Sequence, residues 1–343
     1  MRECINYKKI DAKTLECRTC SHFCKIAEGR TGICGIRQNL KGKLYLLAYG
    51  KAIAAHIDPV EKKPLFHFLP GTLAYSVGTI GCNFRCGNCQ NFDISQMYGL
   101  KGKVEEYKKL EWGIDLPPEK IVEEALASNC QSIAYTYNEP TIWTEYALDT
   151  MKLARKKGLK NIWVSNGFMA NETLDAIIPY LDAINVDIKS FDDEFYKSNC
   201  GARVAPVLEN CKRLVRDKVW LEVTTLIIPT LSDNPEMLKK IAGFVKNELG
   251  DFVPWHVSAF SGAISWKLQH LPDTLVEIVK KAYDIGKKEG LKYVYAGNVW
   301  DRNLESTYCP RCGELLIERS GYAVTRYDKK GECKCGKKIE GVL

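Results

Sequence analysis

The chain has 343 residues, of which 45% are hydrophobic, and a formal net charge of +7. This length suits one large domain with small appendages, or two ordinary domains. Because no apolar run could span a bilayer and the N-terminal residues lack an apolar signal core, we expect no membrane partner and a cytoplasmic location. In that reducing compartment the 15 cysteines favour metal sites over disulfides.

The positive charge is weak evidence for nucleic-acid binding, because the count treats every cysteine as neutral. One three-thiolate cluster and two four-thiolate metal sites would lower the net charge to about +2. The basic runs, such as residues 155–157, are short and typical of solvated helix ends. A metal-binding nucleic-acid module remains an alternative, and it predicts binding that weakens steeply with salt.

The chain begins with a polar segment that contains four cysteines, Cys17, Cys20, Cys24 and Cys34. Four thiolates can hold zinc or an iron–sulfur cluster, and the sequence does not decide between them. Residues 50–71, rich in proline and charge, are predicted to form an ordered loop.

Strand-like and helix-like stretches alternate through the middle of the chain. The predicted strands are Leu73–Ile80, Ser132–Tyr137, Asn161–Ser165, Ala183–Ile188, Val219–Ile228, Val253–Ser258 and Lys292–Tyr295. The predicted helices are Pro118–Ala127, Ile142–Lys157, Glu172–Leu181, Pro206–Val215, Pro235–Leu249 and Thr274–Lys288. This alternation predicts an α/β fold with a partial or complete (β/α) barrel, in which functional groups collect at the carboxyl ends of the strands.

Three cysteines, Cys82, Cys86 and Cys89, follow the first of these strands in the spacing C-x3-C-x2-C. Three thiolates can bind three irons of a [4Fe–4S] cluster and leave the fourth iron open to a substrate, whereas an electron-transfer cluster normally has four cysteine ligands. The missing fourth ligand therefore predicts a cluster that takes part in chemistry. The alternative is a buried cysteine cluster or half of a zinc ribbon.

The chain closes with two cysteine pairs, Cys309 with Cys312 and Cys333 with Cys335. Four thiolates at this separation suit a closed tetrahedral site for zinc or a single iron, of zinc-ribbon or rubredoxin-like type. We expect such a site to stabilise a small segment with little core of its own. The predicted division is an N-terminal cysteine-rich segment and loop (1–71), a barrel (72–300) and this C-terminal segment (301–343).

The central spacing resembles the signature of the radical S-adenosylmethionine (SAM) enzymes. Other motifs resemble the pyruvate formate-lyase activating enzyme branch of that superfamily and, within it, the AmmeMemoRadiSam-type proteins. These motifs are the N-terminal cysteine group with Gly35–Arg37, Asp58–Gly71, Gly81–Asn91, Tyr137–Thr141 and the terminal Cys-Pro-x-Cys-Gly. The chain departs from the family at Asn88, where an aromatic residue is usual, and at residues 259–266, which lack an expected basic residue and prolines.

The resemblance implies a [4Fe–4S] cluster and SAM as cofactors, with zinc or iron at the outer cysteine groups. Reductive cleavage of SAM would give a 5′-deoxyadenosyl radical that abstracts hydrogen from a substrate, in an oxidoreductase reaction. A ferredoxin- or flavodoxin-type protein would supply the electron. The substrate would be a partner protein carrying a glycyl radical, a small molecule or RNA, and a Memo-like protein is a further expected partner.

We expect SAM contacts at the ends of later strands. Glu139, next to Asn138, resembles the family's position for the SAM amino group, although this stretch also suits a helix N-terminus. Ser165 and Asn166 are candidates for the ribose hydroxyls, with a simple turn as the alternative.

Three further candidates lie on later strands. Asp187 and Lys189 share one strand face and suit the zwitterionic methionine end of SAM, with a structural ion pair as the alternative. His256 is expected at a strand's end and resembles a histidine that related activating enzymes place near SAM; the alternative is a satisfied core histidine. The sequence identifies no catalytic residue.

Overall fold

The computed structural model describes residues 1–97 and 112–343, which form two compact units. The first unit comprises Met1–Asp58, Leu73–Asp182 and Asn199–Ala202, and the second comprises Pro59–Thr72, Ala183–Ser198 and Arg203–Leu343. The division into residues 1–71, 72–300 and 301–343 stays a prediction.

The first unit combines small antiparallel sheets with four longer sheet strands. Its strands are β1 (Arg2–Glu3), β2 (Tyr7–Lys9), β3 (Thr14–Cys17), β4 (Lys25–Ala27), β5 (Arg37–Leu40), β6 (Lys43–Leu46), β7 (Lys51–Ala52), β8 (Ala54–Pro59), β9 (Leu73–Gly78), β10 (Ile114–Asp115), β11 (Ser132–Tyr135) and β12 (Lys160–Ser165). Its helices are α1 (Phe92–Ser95), α2 (Pro118–Ala127), α3 (Thr144–Lys156) and α4 (Asn171–Ile177), with 3₁₀ turns at Pro140–Trp143 and Ile178–Tyr180.

Strands β9, β11 and β12 pair in parallel, and β8 lies beside β9. Helix α2 packs on β9 and β11, and α3 packs on β11 and β12. Helix α2 has the predicted bounds, with Pro118 in its first turn and Ile121, Val122 and Ala125 buried. The parallel crossovers bring the segments after these strands, which carry the candidate residues, to one edge of the sheet.

The N-terminal region differs from its prediction as a polar segment followed by a loop. It forms the sheets β1-β6-β5, β2-β3-β4 and β10-β7. Residues 50–71 contain β8 and a 3₁₀ turn at Val60–Lys62 rather than a loop alone. Strands of two to four residues are too short to show an alternating apolar pattern, so the sequence gives no signal for most of them.

The second unit is a parallel four-stranded array followed by an antiparallel meander. Its strands are β13 (Ala183–Asp187), β14 (Trp220–Ile227), β15 (Trp255–Ala259), β16 (Val294–Gly297), β17 (Thr307–Tyr308), β18 (Leu315–Ser320) and β19 (Ala323–Arg326). Its helices are α5 (Asp193–Phe195), α6 (Ala205–Arg216), α7 (Pro235–Phe244), α8 (Val276–Glu289) and α9 (Arg302–Glu305), with a π-helical turn at Val245–Leu249 and a 3₁₀ turn at Gly262–Ile264.

Strands β13 to β16 pair in parallel in sequence order. The α/β fold class is therefore confirmed: eight strands belong to a mostly parallel sheet. Within the described residues, no helix has both the length and the apolar character needed to cross a bilayer.

The core of the second unit contains a buried carboxylate, Glu222. Its oxygens accept hydrogen bonds from the backbone N–H groups of Phe66 and His67 at 2.9 and 2.7 Å, and from the Trp220 indole at 3.0 Å. A His256 ring nitrogen lies 2.7 Å from the same carboxylate. Burial opposes ionisation, but these donors, His256 first, hold the pKa of Glu222 below its ordinary value.

His67 is enclosed beside this carboxylate. Its Nδ1 lies 2.7 Å from the Glu340 carbonyl oxygen, so the neutral ring carries its proton there, and its Nε2 lies 2.5 Å from the Tyr295 hydroxyl. Burial is the main cause that lowers the pKa of His67 from 6.5 to about 4. The folded chain therefore keeps this ring neutral at pH values where the unfolded chain protonates it.

We expect stability to fall as the pH drops from 6.5 toward 4, because only the unfolded state then binds a proton at His67. The contribution of neutral His67 to the free energy of unfolding is fully present above pH 6.5. Near pH 4 its loss amounts to roughly 3 kcal/mol. Urea midpoints measured across this window would show the effect. In His67→Asn, which keeps a donor near the Nδ1 position, the slope should be smaller; an unchanged slope would contradict the assignment.

Candidate metal centre and cofactor site

The loop Gly81–Gln90 follows β9 and carries Cys82, Cys86 and Cys89. Within the described part of the chain, the four C-terminal cysteines form a compact group of metal-ligating atoms, which all lie within 4.8 Å of one another. The three loop sulfurs do not belong to a compact group of this kind. Separated thiolates are what a cluster requires, because each one binds a different iron.

The loop backbone is held by side chains rather than by regular secondary structure. Arg85 Nη1 donates to the carbonyl oxygens of Cys82 and Phe84 at 2.9 and 3.0 Å, and Nη2 donates to the Ile33 carbonyl. A His22 ring nitrogen lies 2.8 Å from the Asn83 carbonyl oxygen. These partners fix the turn that presents the first cysteine.

Three contacts involve the cysteine sulfurs themselves. Cys82 Sγ donates to Asn83 Oδ1 at 3.8 Å. The Phe84 N–H donates to Cys82 Sγ at 3.4 Å, and Cys89 Sγ lies 3.2 Å from Ser95 Oγ on α1. Burial first, and then the charge of Glu139, raises the pKa of Cys82 well above its ordinary value. Metal binding at this thiol must displace its proton.

Asn138 ties the end of β9 to the cysteine loop. Its Oδ1 accepts from the Thr79 N–H at 3.1 Å and the Trp143 indole at 3.2 Å. Its Nδ2 donates to Thr79 Oγ1 at 3.2 Å and to the Gly81 carbonyl at 2.9 Å. The side chain is therefore engaged in positioning the loop, and its predicted contact with SAM stays a prediction.

Glu139 is buried at the end of the segment that follows β11, where it caps the 3₁₀ turn Pro140–Trp143. Oε1 accepts from the Thr141 N–H at 3.1 Å, the Thr141 hydroxyl at 2.5 Å and the Ser165 hydroxyl at 2.8 Å, and Oε2 accepts from the Asn166 N–H at 2.8 Å. Burial raises the pKa of Glu139, and these hydrogen bonds oppose the rise. The sequence alternative is a helix N-terminus capped by Asn138 or Thr141, whereas in the structure Glu139 itself caps a 3₁₀ turn.

Ser165 and Asn166 join Glu139 to the cysteine loop. Ser165 Oγ accepts from the Gly167 N–H at 3.0 Å, and Asn166 Nδ2 donates to Asn83 Oδ1 at 2.7 Å. The structure thus brings six of the predicted residues and their neighbour Asn83 into one connected region of the first unit, namely Cys82, Cys86, Cys89, Glu139, Ser165 and Asn166. Their individual roles toward SAM stay predictions.

Asp187 and Lys189 lie in the second unit and form an ion pair with Nζ 2.7 Å from Oδ2. The carboxylate side chain is 36% exposed and the ammonium side chain 15% exposed, so the pair is half-buried. The two side chains lie on the same side of the chain, as the sequence predicts. An ion pair with a structural role is enough to explain this arrangement. Binding of the methionine end of SAM stays a prediction.

His256 does not end a strand as expected: β15 runs from Trp255 to Ala259, so His256 is its second residue. The ring is buried, hydrogen-bonded to Glu222 and packed edge-on against Phe66 with a 4.7 Å centroid separation. The prediction placed the strand two residues too early because Val253 and Pro254 continue the apolar pattern. This environment is that of a satisfied core histidine, the alternative reading of the sequence.

The four C-terminal cysteines meet at one point. Cys309 Sγ lies 3.6 Å from Cys335 Sγ, Cys312 Sγ lies 3.6 Å from Cys333 Sγ, and all four sulfurs lie within 4.8 Å of one another. Tetrahedral thiolates around zinc stand about 3.8 Å apart, as follows from a Zn–S distance of about 2.3 Å. The four sulfurs are therefore spaced as a single, tetrahedrally coordinated metal ion requires. Burial opposes ionisation of Cys309, but backbone N–H groups at residues 311 and 312 help lower its pKa to about 7.

Several residues that support the cysteine loop were not identified from the sequence. His22, Arg85 and Asn83 hold its backbone, and Asn199 donates to Asn88 Oδ1 at 2.9 Å and accepts from the Gly87 N–H at 3.2 Å. Arg85 and Asn83 carry a usable signal, because they are polar residues inside a metal-binding motif. His22 and Asn199 carry none, since their partners are distant in sequence.

Comparison with known proteins agrees with this site. The sequence model of the Radical SAM superfamily matches residues 76–245. The uncharacterized protein MJ0808 of Methanocaldococcus jannaschii is 44% identical over 347 residues, which cover 100% of both chains. The pyruvate formate-lyase-activating enzyme of Clostridium pasteurianum is 25% identical over 188 residues, or 51% of this chain and 72% of that enzyme.

A solved structure shares the fold. Streptococcus suis SuiB bound to S-adenosylmethionine matches with a TM-score of 0.50 and 12% identity, over 70% of this chain and 53% of that chain. At this identity the likeness concerns the fold alone.

The chain therefore belongs to the radical SAM superfamily. It is a radical SAM enzyme related to the pyruvate formate-lyase-activating enzymes, and membership implies a [4Fe–4S] cluster and SAM. The residues present fit that pair of cofactors, because three cysteines occupy one loop and the buried carboxylate of Glu139 is connected through Asn166 to Asn83 in that loop.

Loss of the C-terminal metal should destabilise the segment around it. Cys312 and Cys335 are exposed, whereas Cys309 and Cys333 belong to an apolar cluster with Leu316. Cys312→Ser with Cys335→Ser should remove one metal ion per chain, measured by mass spectrometry, and lower the Tm by roughly 2 °C or more for each kcal/mol lost.

Lys334→Ala is the matched control, because Lys334 lies exposed beside Cys335 and supplies no thiolate. It should keep the metal and the Tm. Metal retained in the double serine variant would show that these cysteines do not bind it.

Proposed function

We propose that the protein binds a [4Fe–4S] cluster at Cys82, Cys86 and Cys89 and uses it to cleave SAM reductively, with hydrogen abstraction from a partner polypeptide as the outcome. The observation that carries the proposal is the connection between a three-thiolate loop and the buried Glu139 network in the same unit. When bound, the cluster supplies one electron to SAM and so generates methionine and a 5′-deoxyadenosyl radical.

The role proposed for this chain's residues is to hold and orient. Asn138 fixes the start of the cysteine loop through the Gly81 carbonyl, and Asn166 fixes it through the Asn83 side chain. Glu139 presents a buried carboxylate that favours a nearby cation such as the SAM ammonium group. Ser165 orients that carboxylate through its 2.8 Å hydrogen bond.

The residues of the second unit have a separate proposed role. Asp187 and Lys189 offer one charge of each sign, which complements the ammonium and carboxylate of the methionine part of SAM. His256 is buried against Glu222, and its proposed position near SAM has the weaker physical support.

The proposed substrate class follows from the relatives. The enzyme of Clostridium pasteurianum is named for activating a protein, and 51% of this chain matches it. We propose that the substrate is a protein of this kind. We further propose that the chain is an AmmeMemoRadiSam-type protein with a Memo-like partner. Its electron donor would be a ferredoxin- or flavodoxin-type protein in a reducing cytoplasm. The rest of the chain has no counterpart in that match, so the particular protein that serves as substrate is expected to differ.

Reductive SAM cleavage is directly measurable. Protein reconstituted with iron and sulfide without oxygen, then given dithionite and SAM, should release 5′-deoxyadenosine detectable by liquid chromatography. Cys82→Ala, Cys86→Ala and Cys89→Ala should each abolish the product, because the cluster needs all three thiolates.

The matched control is Cys130→Ala, which removes a buried thiol that follows α2 and belongs to none of the three cysteine groups. It should retain product formation. Production of 5′-deoxyadenosine by the three loop variants at the control's rate would overturn the proposal.

Glu139→Gln tests the carboxylate. The substitution keeps the shape and one acceptor but removes the charge, so SAM binding should weaken by about 10-fold or more while the iron content stays unchanged. Equilibrium binding of SAM and iron analysis on the same samples separate the two effects. SAM affinity equal to that of the unsubstituted protein would show that Glu139 serves only as a helix cap.

A further inference from the structure

The four N-terminal cysteines line a single cavity in the first unit. Cys17, Cys20, Cys24 and Cys34 share its wall with His22 and Asn83, and the cavity is partly open to solvent. Cys17, Cys20 and Cys34 are buried and Cys24 is half-buried. The metal site predicted for this segment from the sequence would therefore lie in this cavity.

Backbone geometry turns these residues toward the cavity. The Cys17 N–H donates to the Cys24 carbonyl at 2.9 Å, and the Phe23 N–H donates to the Cys20 carbonyl at 3.1 Å. Phe23 has a φ of +47°, a left-handed conformation that costs energy outside glycine. A strained turn between two cavity cysteines indicates that their placement is strongly specified.

The spacing of the sulfurs distinguishes this site from the C-terminal one. Around Cys309, two sulfur pairs approach to 3.6 Å and four sulfurs fit within 4.8 Å, as a single ion requires. Among the described residues, the N-terminal cysteines do not form a compact ligand group of that kind. Four thiolates spread around a cavity suit a cube of four irons, in which each sulfur binds a different metal.

Two buried polar groups on the cavity wall have no protein partner among the described residues. They are Thr19 Oγ1 and Asn83 Nδ2, on residues that are each 1% exposed. An unpaired buried donor costs on the order of 1–3 kcal/mol, so its persistence calls for an acceptor that the chain does not supply. Inorganic sulfides and cysteine thiolates are such acceptors, and hydrogen bonds to cluster sulfurs are one of the means by which proteins set the reduction potential.

A buried cation also lies on the cavity wall. Arg37 is 1% exposed, and its guanidinium pairs with Glu145 at 2.5 Å and donates from Nε to the Ile142 carbonyl at 2.8 Å. A cluster with a 2+ core and four thiolates carries about −2, so a guanidinium in the wall offsets part of its charge.

We propose that Cys17, Cys20, Cys24 and Cys34 bind a second [4Fe–4S] cluster, with every iron ligated by the protein. The donor set is complete, so this cluster has no open iron for a substrate, and its chemistry is electron transfer. One electron from a low-potential donor would reduce it and then pass to the cluster at the central loop. That last role rests on the proposed function, whereas the metal site itself does not.

The cavity adjoins the central loop directly. Gly81 has a φ of +84°, and a Cβ added there would lie 2.5 Å from the Cys34 carbonyl oxygen. His22 lies 2.8 Å from the Asn83 carbonyl, and Asn83 follows the first central ligand, Cys82. Electron transfer between two clusters requires such proximity, and the close approach at Gly81 explains why a side chain is not accommodated there.

The test removes the central cluster first. The full chain with Cys82→Ala, Cys86→Ala and Cys89→Ala is reconstituted without oxygen, and iron, acid-labile sulfide and zinc are counted per chain. The proposal expects about four irons and four sulfides to remain, with a paramagnetic signal after dithionite reduction. Adding Cys20→Ser and Cys34→Ser should remove the sulfide and the signal.

Two further variants keep this result interpretable. Adding Cys312→Ser and Cys335→Ser instead should leave the sulfide unchanged, since that site has the size of a single ion. Thr19→Val removes only an unpaired hydroxyl, so the fold should persist, while loss of a hydrogen bond to the cluster should shift its reduction potential to a more negative value.

The proposal is overturned if the triple alanine background contains zinc without sulfide, or if its sulfide persists after Cys20→Ser and Cys34→Ser. An unshifted potential in Thr19→Val would overturn the hydrogen bond assigned to that hydroxyl. Because these readouts do not use SAM, failure of SAM cleavage in the unsubstituted protein would leave them intact.

Discussion

The loop Gly81–Gln90 must hold three thiolates in fixed positions without the hydrogen-bond ladder of a strand or helix. Backbone polar groups in a buried loop need partners, and here side chains supply them. The Asn138 amide donates a hydrogen bond to the Gly81 carbonyl, and the Arg85 guanidinium donates one to the Cys82 carbonyl. Gln96 Nε2 donates to the Phe84 carbonyl at 3.1 Å. Because these partners come from separate segments, the ligand geometry exists only once the first unit has folded.

The same constraint explains the position of Glu139. A buried carboxylate is costly unless donors satisfy it, and Thr141, Ser165 and Asn166 provide four hydrogen bonds between them. Burial still raises the pKa of Glu139, which means that its charged form is disfavoured and that a nearby cation would stabilise it. A helix-capping role and a cofactor-binding role are therefore compatible in one side chain, since the cap fixes the orientation that binding would use.

Local features were predictable from the sequence, and features that depend on distant partners were not. Helix α2 has the predicted bounds because the features that define it, a proline in the first turn and regularly spaced apolar residues, all lie within ten consecutive residues. The three cysteine groups were likewise visible as spacings. The hydrogen bond of Asn166 to Asn83 joins residues 83 positions apart, and no local pattern encodes it. For His256 the structure supplies a partner, Glu222, that no local sequence pattern indicates, and the cofactor contact suggested by family resemblance stays a prediction.

Thiolates bind both zinc and iron, so ligand type alone does not assign a metal to each cysteine group. Geometry does more. The knuckle-like turns around Cys309 and Cys333 bring sulfurs to 3.6 Å, which leaves space for one ion and excludes a four-iron cube. The central loop offers three cysteines, one fewer than a closed tetrahedral zinc site needs. Spacing along the chain thus sets the distance between sulfurs, and that distance sets which metal centre each group can assemble.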